Sequence, residues 1–183
     1  MQDNQPEDEL IALAQSGAPE AFDALVRRYQ EFIVNFVYRI TNDREAALDV
    51  AQDSFVKAFK SLKTFQGSSS FRTWLAAISL NTARSYLKKN KLSVTSSSLQ
   101  DFESGTPNPE ESFQKNQRKE KVRKALIKLK PDLQEVIRLC AIEGFSYAEA
   151  AQALNIPLGT VCSRMNAALS ELRIILSKEN SHD

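Results

Sequence analysis

Near the middle of the chain, Ser93 to Glu111 reads Ser-Val-Thr-Ser-Ser-Ser-Leu-Gln-Asp-Phe-Glu-Ser-Gly-Thr-Pro-Asn-Pro-Glu-Glu. Neither the helical nor the strand period runs through it, and its Ser, Pro and Gly content is that of a linker. One continuous core across such a segment is therefore excluded. The chain has to fold as two small units, with expected boundaries at 1–92, 93–114 (linker) and 115–183. A hydrophobic share of 42% over 183 residues is enough for two small cores and rules out full disorder.

Both flanks follow the helical period, and no alternating strand pattern or internal repeat is present, so the fold class is all-α. Asp8 to Ser16 reads as a short helix stopped by Gly17, followed by a long one from Pro19 to about Thr41. Asn42, three residues before Glu45, is an N-cap signature for a third helix. There, Leu48, Ala51, Phe55, Phe59 and Leu62 form one apolar stripe. Thr64 to Ser70 is a loop, with Ser70 placed to cap a fourth helix reaching about Lys91. Phe71, Leu75, Ile78 and Thr82 make the buried stripe of that helix.

The second unit opens with a charged helix, Lys115 to Lys130, broken by Pro131. Pro131 then starts Asp132 to Glu143, which Gly144 ends. Ser146-Tyr-Ala-Glu149 is a capping box for a short helix with the stripe Tyr147, Ala150, Ala151 and Leu154. A tight turn, Asn155 to Gly159, leads to a helix from Thr160 to about Ser177, with Val161, Met165, Ala168, Leu172 and Ile175 inward. Two helices on a short turn, the first carrying paired alanines, form a helix-turn-helix pattern. A plain helical hairpin shares the same periodicity.

Several chemistries lack their residues. Cys140 and Cys162 are the only cysteines and His182 the only histidine, so no metal site of Cys and His and no disulfide framework is expected. Five glycines without a clustered pair give no phosphate-cradling loop. No catalytic residue and no cofactor is expected, and the chain does not read as an enzyme. No run of about eighteen apolar residues is present to span a membrane. Met1 to Glu9 is acidic and does not read as a secretory signal.

A net charge of +1 conceals segregation. The balance is −7 over residues 1–53, +8 over 54–92 with no acid at all, −4 over 93–114 and +4 over 115–183. Such asymmetry fits an acidic face for one partner and basic faces for a polyanion, against the alternative of chance clustering on solvated helices. Asp49, Gln52 and Asp53 share one face of the third helix. From Phe55 to Lys91, aromatics interleave with bases, a combination that suits unstacked, single-stranded DNA. On the fourth helix Trp74, Asn81, Arg84 and Lys88 lie opposite the core stripe, while Phe71 and part of Trp74 read as core. The loop Phe65, Gln66, Gly67, Ser68, Ser69, Ser70 offers N–H groups and hydroxyls for an extruded base. On the last helix Thr160, Cys162, Ser163, Arg164, Asn166, Ala167 and Ser170 point away from the inward stripe, and only Arg164 among them is charged.

These residues resemble a known family. Glu20-Ala-Phe22, Leu25-Val-Arg-Arg-Tyr29, Asp49-Val-Ala-Gln-Asp-Ser-Phe-Val-Lys-Ala-Phe59, Phe65-Gln-Gly-Ser-Ser-Ser-Phe-Arg-Thr-Trp-Leu75 and Asn81-Thr-Ala-Arg-Ser-Tyr-Leu87 resemble the second conserved region of sigma-70 factors. The likeness is to the small extracytoplasmic-function (ECF) class, nearest its envelope-stress sigma-E-like subfamily. Leu129-Lys-Pro, Gly144-Phe-Ser-Tyr-Ala-Glu-Ala-Ala151 and Ile156-Pro-Leu-Gly-Thr-Val161 before Ser163-Arg164 look like the fourth region.

The resemblance implies an initiation subunit that binds core RNA polymerase and promoter DNA. Asp49, Gln52 and Asp53 would dock on the β′ clamp helices. The Phe65–Ser70 loop, Trp74, Asn81, Arg84 and Lys88 would recognise and melt the −10 element. Ser146, Thr160, Cys162, Ser163, Arg164, Asn166 and Ala167 would serve the −35 element, with the β flap as a further contact of that unit. The acidic linker would thread toward the RNA exit channel. A cognate anti-sigma factor is implied, as is a cytoplasmic location with sequestration at the inner membrane and no direct membrane insertion. Gln66 and Ser68 depart from the basic and acidic residues common in that loop, and Cys162 and Ala167 from arginines common on the last helix.

Two other readings compete with this one. A stand-alone helix-turn-helix regulator would be a dimer on a palindrome and would leave the N-terminal aromatic and basic cluster unused. A nucleic-acid hydrolase would need clustered carboxylates for metals, which the basic stretch lacks.

Overall fold

The structure is a computed structural model and describes residues 5–90 and 121–180. The chain divides into two compact units. Among the described residues every regular element is helical. The expected linker, 93–114, and the first residues of the charged helix from Lys115 lie outside the described residues.

The first unit contains α1 (Glu7–Gln15), α2 (Pro19–Thr41), α3 (Arg44–Ser61) and α4 (Phe71–Asn90), with a 3-10 turn Leu62–Thr64 after α3. Proline at the first position of α2 starts that helix without forfeiting a hydrogen bond, since its N–H would have no intrahelical partner. Asn42 does not cap α3, as its spacing to Glu45 predicts. It sits in the left-handed region, φ 54°, and ends α2. Asp43 is the N-cap instead: its Oδ1 accepts from the N–H of Glu45 at 2.9 Å and of Ala46 at 3.1 Å, worth about 1 kcal/mol. Both residue types suit a cap; only one can follow a helix that closes on the other.

Helix α2 packs on α1, α3 and α4. Leu10, Leu25, Ile33, Phe36, Val37, Leu62, Phe71 and Leu75 are fully or almost fully buried. Where α3 meets α4 the buried positions are small: Ala47, Ala51, Ser54 and Ala58 on one helix, Ala76, Ser79, Thr82 and Ala83 on the other. Small side chains let backbones approach closely, and the hydroxyls of Ser54, Ser79 and Thr82 bond back to Val50 O, Leu75 O and Ile78 O. This overturns the stripe read for α3. Of its five members only Ala51 and Leu62 are buried, while Leu48 is 50% and Phe59 52% exposed. On α4 the expected stripe holds at Phe71, Leu75 and Thr82, with Ile78 half-buried.

In the second unit a helix over 121–128 (α5) precedes α6 (Pro131–Ile137), a π-helical turn Arg138–Ile142, α7 (Tyr147–Leu154) and α8 (Leu158–Asn180). Helix α6 packs on α8 around Leu133, Val136, Val161 and Met165. The turn ends at Gly144, φ +71°, a conformation that glycine adopts without strain. The capping box forms as expected. Ser146 N–H donates to Glu149 Oε2 at 2.9 Å, and Glu149 N–H donates to Ser146 Oγ at 3.2 Å. Tyr147, expected in the buried stripe of α7, is 42% exposed, because it occupies the first turn, ahead of the packed segment that begins at Ala150. Helix α8 opens two residues before Thr160, since Pro157 O already accepts the N–H groups of Thr160 and Val161.

Candidate functional site

On α3, Asp49, Gln52 and Asp53 are all exposed on one face, as their spacing predicts. Beside them α2 and α3 leave an open groove of about 510 Å³. Its apolar floor includes Phe22, Val26, Leu48, Phe55, Val56 and Phe59, with Gln52 and Asp23 on the lining. Phe59 meets Phe22 edge to face at 5.0 Å. Sequence periodicity treats Leu48, Phe55 and Phe59 as core, so it misses this groove. The missed signal is size: large apolar residues share α3 with a separate stripe of alanines. A concave apolar surface with a carboxylate, Asp23, on its lining and others exposed on α3 suits a helix that carries both apolar and basic side chains.

On α4, Asn81 and Lys88 are exposed and Arg84 is half-buried. Arg84 Nη1 donates to Asn81 Oδ1 at 3.3 Å, so the two present one joined polar edge. Not every base of the acid-free stretch faces outward to the same degree. Lys57 Nζ donates to Thr82 Oγ1 at 3.1 Å, and the Arg72 guanidinium lies 4.4 Å from the centre of the Phe32 ring.

The loop ahead of α4 has an ordered neck. Phe65 is buried, with its ring 5.8 Å from Phe71 and 5.1 Å from Trp74. The side chain of Phe65 therefore holds the loop instead of facing a ligand, and Trp74 is half-buried in the same cluster. Gln66, Gly67 and Ser68 are exposed, and Gly67 has φ +71°, a turn that a β-carbon would strain. Ser70 caps α4 as expected, its Oγ accepting from Thr73 N–H at 3.1 Å.

A contact that sequence reasoning did not anticipate comes from α1. Gln15 Nε2 donates to Leu62 O at 3.0 Å and to Phe65 O at 2.8 Å. Helix α1 itself is held by burial of Leu10, Ile11 and Ala14. The Tyr29 hydroxyl also donates to Glu7, and Arg28 Nη2 donates to Gln5 O at 2.9 Å. Burial, followed by the Glu7 carboxylate, pushes the Tyr29 hydroxyl well above its ordinary range, so this bond persists at any physiological pH.

On α8, Val161, Met165 and Ala168 are buried and Leu172 and Ile175 half-buried, as the stripe predicts. Ser163, Asn166, Ala167 and Ser170 are exposed, and Thr160 and Cys162 are half-buried. Arg164 is engaged: its Nε lies 3.3 Å from Asp132 Oδ2 on α6. Its side chain does not project freely, contrary to its place on an outward face. The hydroxyl of Ser146 is committed to the capping box. Cys140 is half-buried, and burial followed by nearby Cys162 pushes its thiol up. Among the described residues no group of His, Cys, Asp and Glu is arranged to hold a metal ion, and no helix is long and apolar enough to cross a membrane.

Known proteins align with both units. Residues 25–92 match the Sigma-70 region 2 family and residues 119–172 the Sigma-70, region 4 family. Over 169 residues the chain is 33% identical to the RNA polymerase sigma-H factor of Pseudomonas aeruginosa, covering 87% of this chain and 88% of that one. Over 166 residues it is 36% identical to the ECF RNA polymerase sigma-E factor of Salmonella typhimurium, covering 85% and 86%. The solved structure of CnrH in complex with the cytosolic domain of CnrY superposes with a TM-score of 0.68 at 29% identity, over 94% of this chain and 97% of that one.

Two helical units and likeness along both define a transcription initiation factor that works with RNA polymerase and promoter DNA. The chain belongs to the sigma-70 family, within its extracytoplasmic-function class. A stand-alone dimeric regulator is not favoured, because relatives matched over more than four-fifths of both chains are sigma factors.

Proposed function

We propose that the first unit, with boundary near residue 92, docks on the β′ clamp helices of core polymerase and opens the −10 element. The second, from about residue 115, reads the −35 element and meets the β flap. The observation that carries the docking assignment is the open groove between α2 and α3, lined in part by Asp23 and Gln52, with Asp49 and Asp53 exposed on the same helix α3. Apolar anchors would fill the groove while basic residues of the partner meet the carboxylates.

Asn81, Arg84 and Lys88 are the strand-contacting edge, and Gln66, Gly67, Ser68 and Ser69 take an extruded base. Phe65 and Ser70 shape that loop, and Trp74 closes the aromatic floor beneath it. Thr160, Cys162, Ser163, Asn166 and Ala167 face the −35 duplex. Arg164 reaches it only by leaving Asp132, and Ser146 contributes through the N-terminus of α7. CnrH is solved with the cytosolic domain of CnrY. A cognate anti-sigma factor covering the docking groove would compete with polymerase, and a membrane-held one would sequester the protein at the inner membrane, away from cytoplasmic polymerase. The linker threads the polymerase, and the regulon is one of stress response.

Replacing Asp53 by Lys tests the docking assignment. Losing a desolvated charge pair at an interface costs about 2–5 kcal/mol, so pull-down of core polymerase by Asp53→Lys should fall at least tenfold with helicity unchanged. Recovery at the wild-type level would refute it.

A further inference from the structure

The sequence places all of its −10 chemistry between Phe65 and Lys88, yet the neck of the loop is fastened by a residue fifty positions earlier. The Gln15 amide has two hydrogens, and they meet two backbone carbonyls, Leu62 O and Phe65 O. Leu62 O also accepts the Phe65 N–H at 3.0 Å, which closes the 3-10 turn. Phe65 O is the last carbonyl before exposed Gln66-Gly67-Ser68. At the far side Ser70 is fixed by its cap on Thr73. Only residues 66–69 are therefore left between two clamped ends.

Gln15 is not alone in holding α1 in place. Leu10, Ile11 and Ala14 are buried, and the Tyr29–Glu7 and Arg28–Gln5 bonds tie that helix at its other end. The two bonds of Gln15 act on the loop. A glutamate of the same shape would set carboxylate oxygens against the two carbonyls, and a methionine would fill the space with no donor.

We propose that Gln15 is a positioning residue for strand recognition: its amide clamps the neck of the 65–70 loop, so that α1 sets the shape in which the loop receives a base. Holding a loop in its bound shape reduces the ordering that binding requires. This rests on the base-holding role given to the loop above.

The test uses the full chain assembled with core RNA polymerase. The probe is single-stranded DNA enriched by the wild-type holoenzyme from a randomised pool, carrying 2-aminopurine at successive positions. Gln15→Glu and Gln15→Met are compared with the wild type and with a double loop variant, Gln66→Ala with Ser68→Ala. Both Gln15 variants should bind core polymerase within about twofold of wild type and hold the strand about tenfold more weakly, the scale of losing two backbone-directed hydrogen bonds. They should also lose the 2-aminopurine signal at the position that the wild-type loop perturbs.

Wild-type strand affinity and signal in both variants would overturn the proposal. So would a parallel loss of core binding and thermal stability, which would make Gln15 a merely structural residue. If Gln15→Glu fails to fold, Gln15→Met decides; if both fail, Gln15 belongs to the core and the proposal falls. A loop double variant that behaves as wild type would refute the base-holding role itself, and Gln15's part with it. A defective double variant beside normal Gln15 variants would refute Gln15 alone.

Discussion

Phe59 separates two roles that a hydrophobic stripe on a helix can have. Truncating a fully buried Phe to Ala costs about 3–5 kcal/mol, through lost transfer and the cavity left behind. Phe36, with no exposed surface, should show that full cost. Phe59 is 52% exposed and keeps one edge-to-face contact, with Phe22, so Phe59→Ala should cost about half as much, ~2 kcal/mol. If the groove docks polymerase, the surface still in water is buried on binding. Half of a Phe side chain contributes ~1–1.5 kcal/mol, close to tenfold in Kd. Trp74 is the only tryptophan, and it sits in the aromatic cluster of the same unit, so its emission reports urea unfolding directly. Competition against labelled wild-type protein reports the affinity for core polymerase. A urea midpoint for Phe59→Ala as low as that for Phe36→Ala would make Phe59 a core residue. Wild-type core affinity at intact stability would refute the docking role of the groove.

Asn81→Ala should slow open-complex formation on duplex promoters and do less harm on a template mismatched around the −10 element; equal defects on both would argue against a melting role. Asp132→Ala should cost at most about 1 kcal/mol of stability, as exposed ion pairs do, while releasing Arg164. Together with Cys162→Arg it should sharpen the preference for guanine at the −35 element in binding selections, since bidentate arginines discriminate guanine by about 1–3 kcal/mol; a strict guanine-rich motif for the natural protein would show that the reading face lies elsewhere. Burial raises the Cys140 thiol above its ordinary value of 9.0, so the stability it contributes is complete below pH 9 and declines as pH rises through the folded-state value. Alkylation of Cys140 should accordingly stay slow at pH 8, and rapid labelling there would contradict its burial.

Much of the fold could be read locally. Gly17 and Pro19 punctuate α1 and α2, Ser70 and the Ser146–Glu149 box set the starts of α4 and α7, and the inward stripe of α8 holds at Val161, Met165 and Ala168. Each of those signals is settled within one or two helical turns. Misreadings arise where two local answers compete. Asn42 and Asp43 both suit a cap, and the left-handed end of α2 takes the first, leaving the second to cap. Site residues show the same division. Asp49, Gln52, Asp53 and Asn81 are exposed as their spacing requires. By contrast, the Arg164–Asp132 pair and the Gln15 clamp join residues 32 and up to fifty positions apart. No helical period links such positions, and only the packed helices bring them together.

Helix α3 shows what periodicity leaves undecided and what side-chain size can decide. Two apolar stripes run along it, one of small residues through Ala47, Ala51, Ser54 and Ala58, the other of large ones through Leu48, Phe55 and Phe59. Both satisfy the 3.6-residue repeat. A helix placed between α2 and α4 can approach them closely only through its small side, because helix axes come within about 8 Å when the contact residues are small. The large stripe is thereby turned to the open groove beside α2, where Leu48 and Phe59 lie half in water and Phe59 keeps one edge contact with Phe22. Folding alone does not need the exposed half of such residues: apolar surface left in water adds no stability and invites aggregation. Their presence on one helix with exposed carboxylates is what an interface requires, apolar area for affinity and charge for register. A helix with alanines inward, aromatics at the edge and acids beyond them therefore points to a partner even before any relative is compared.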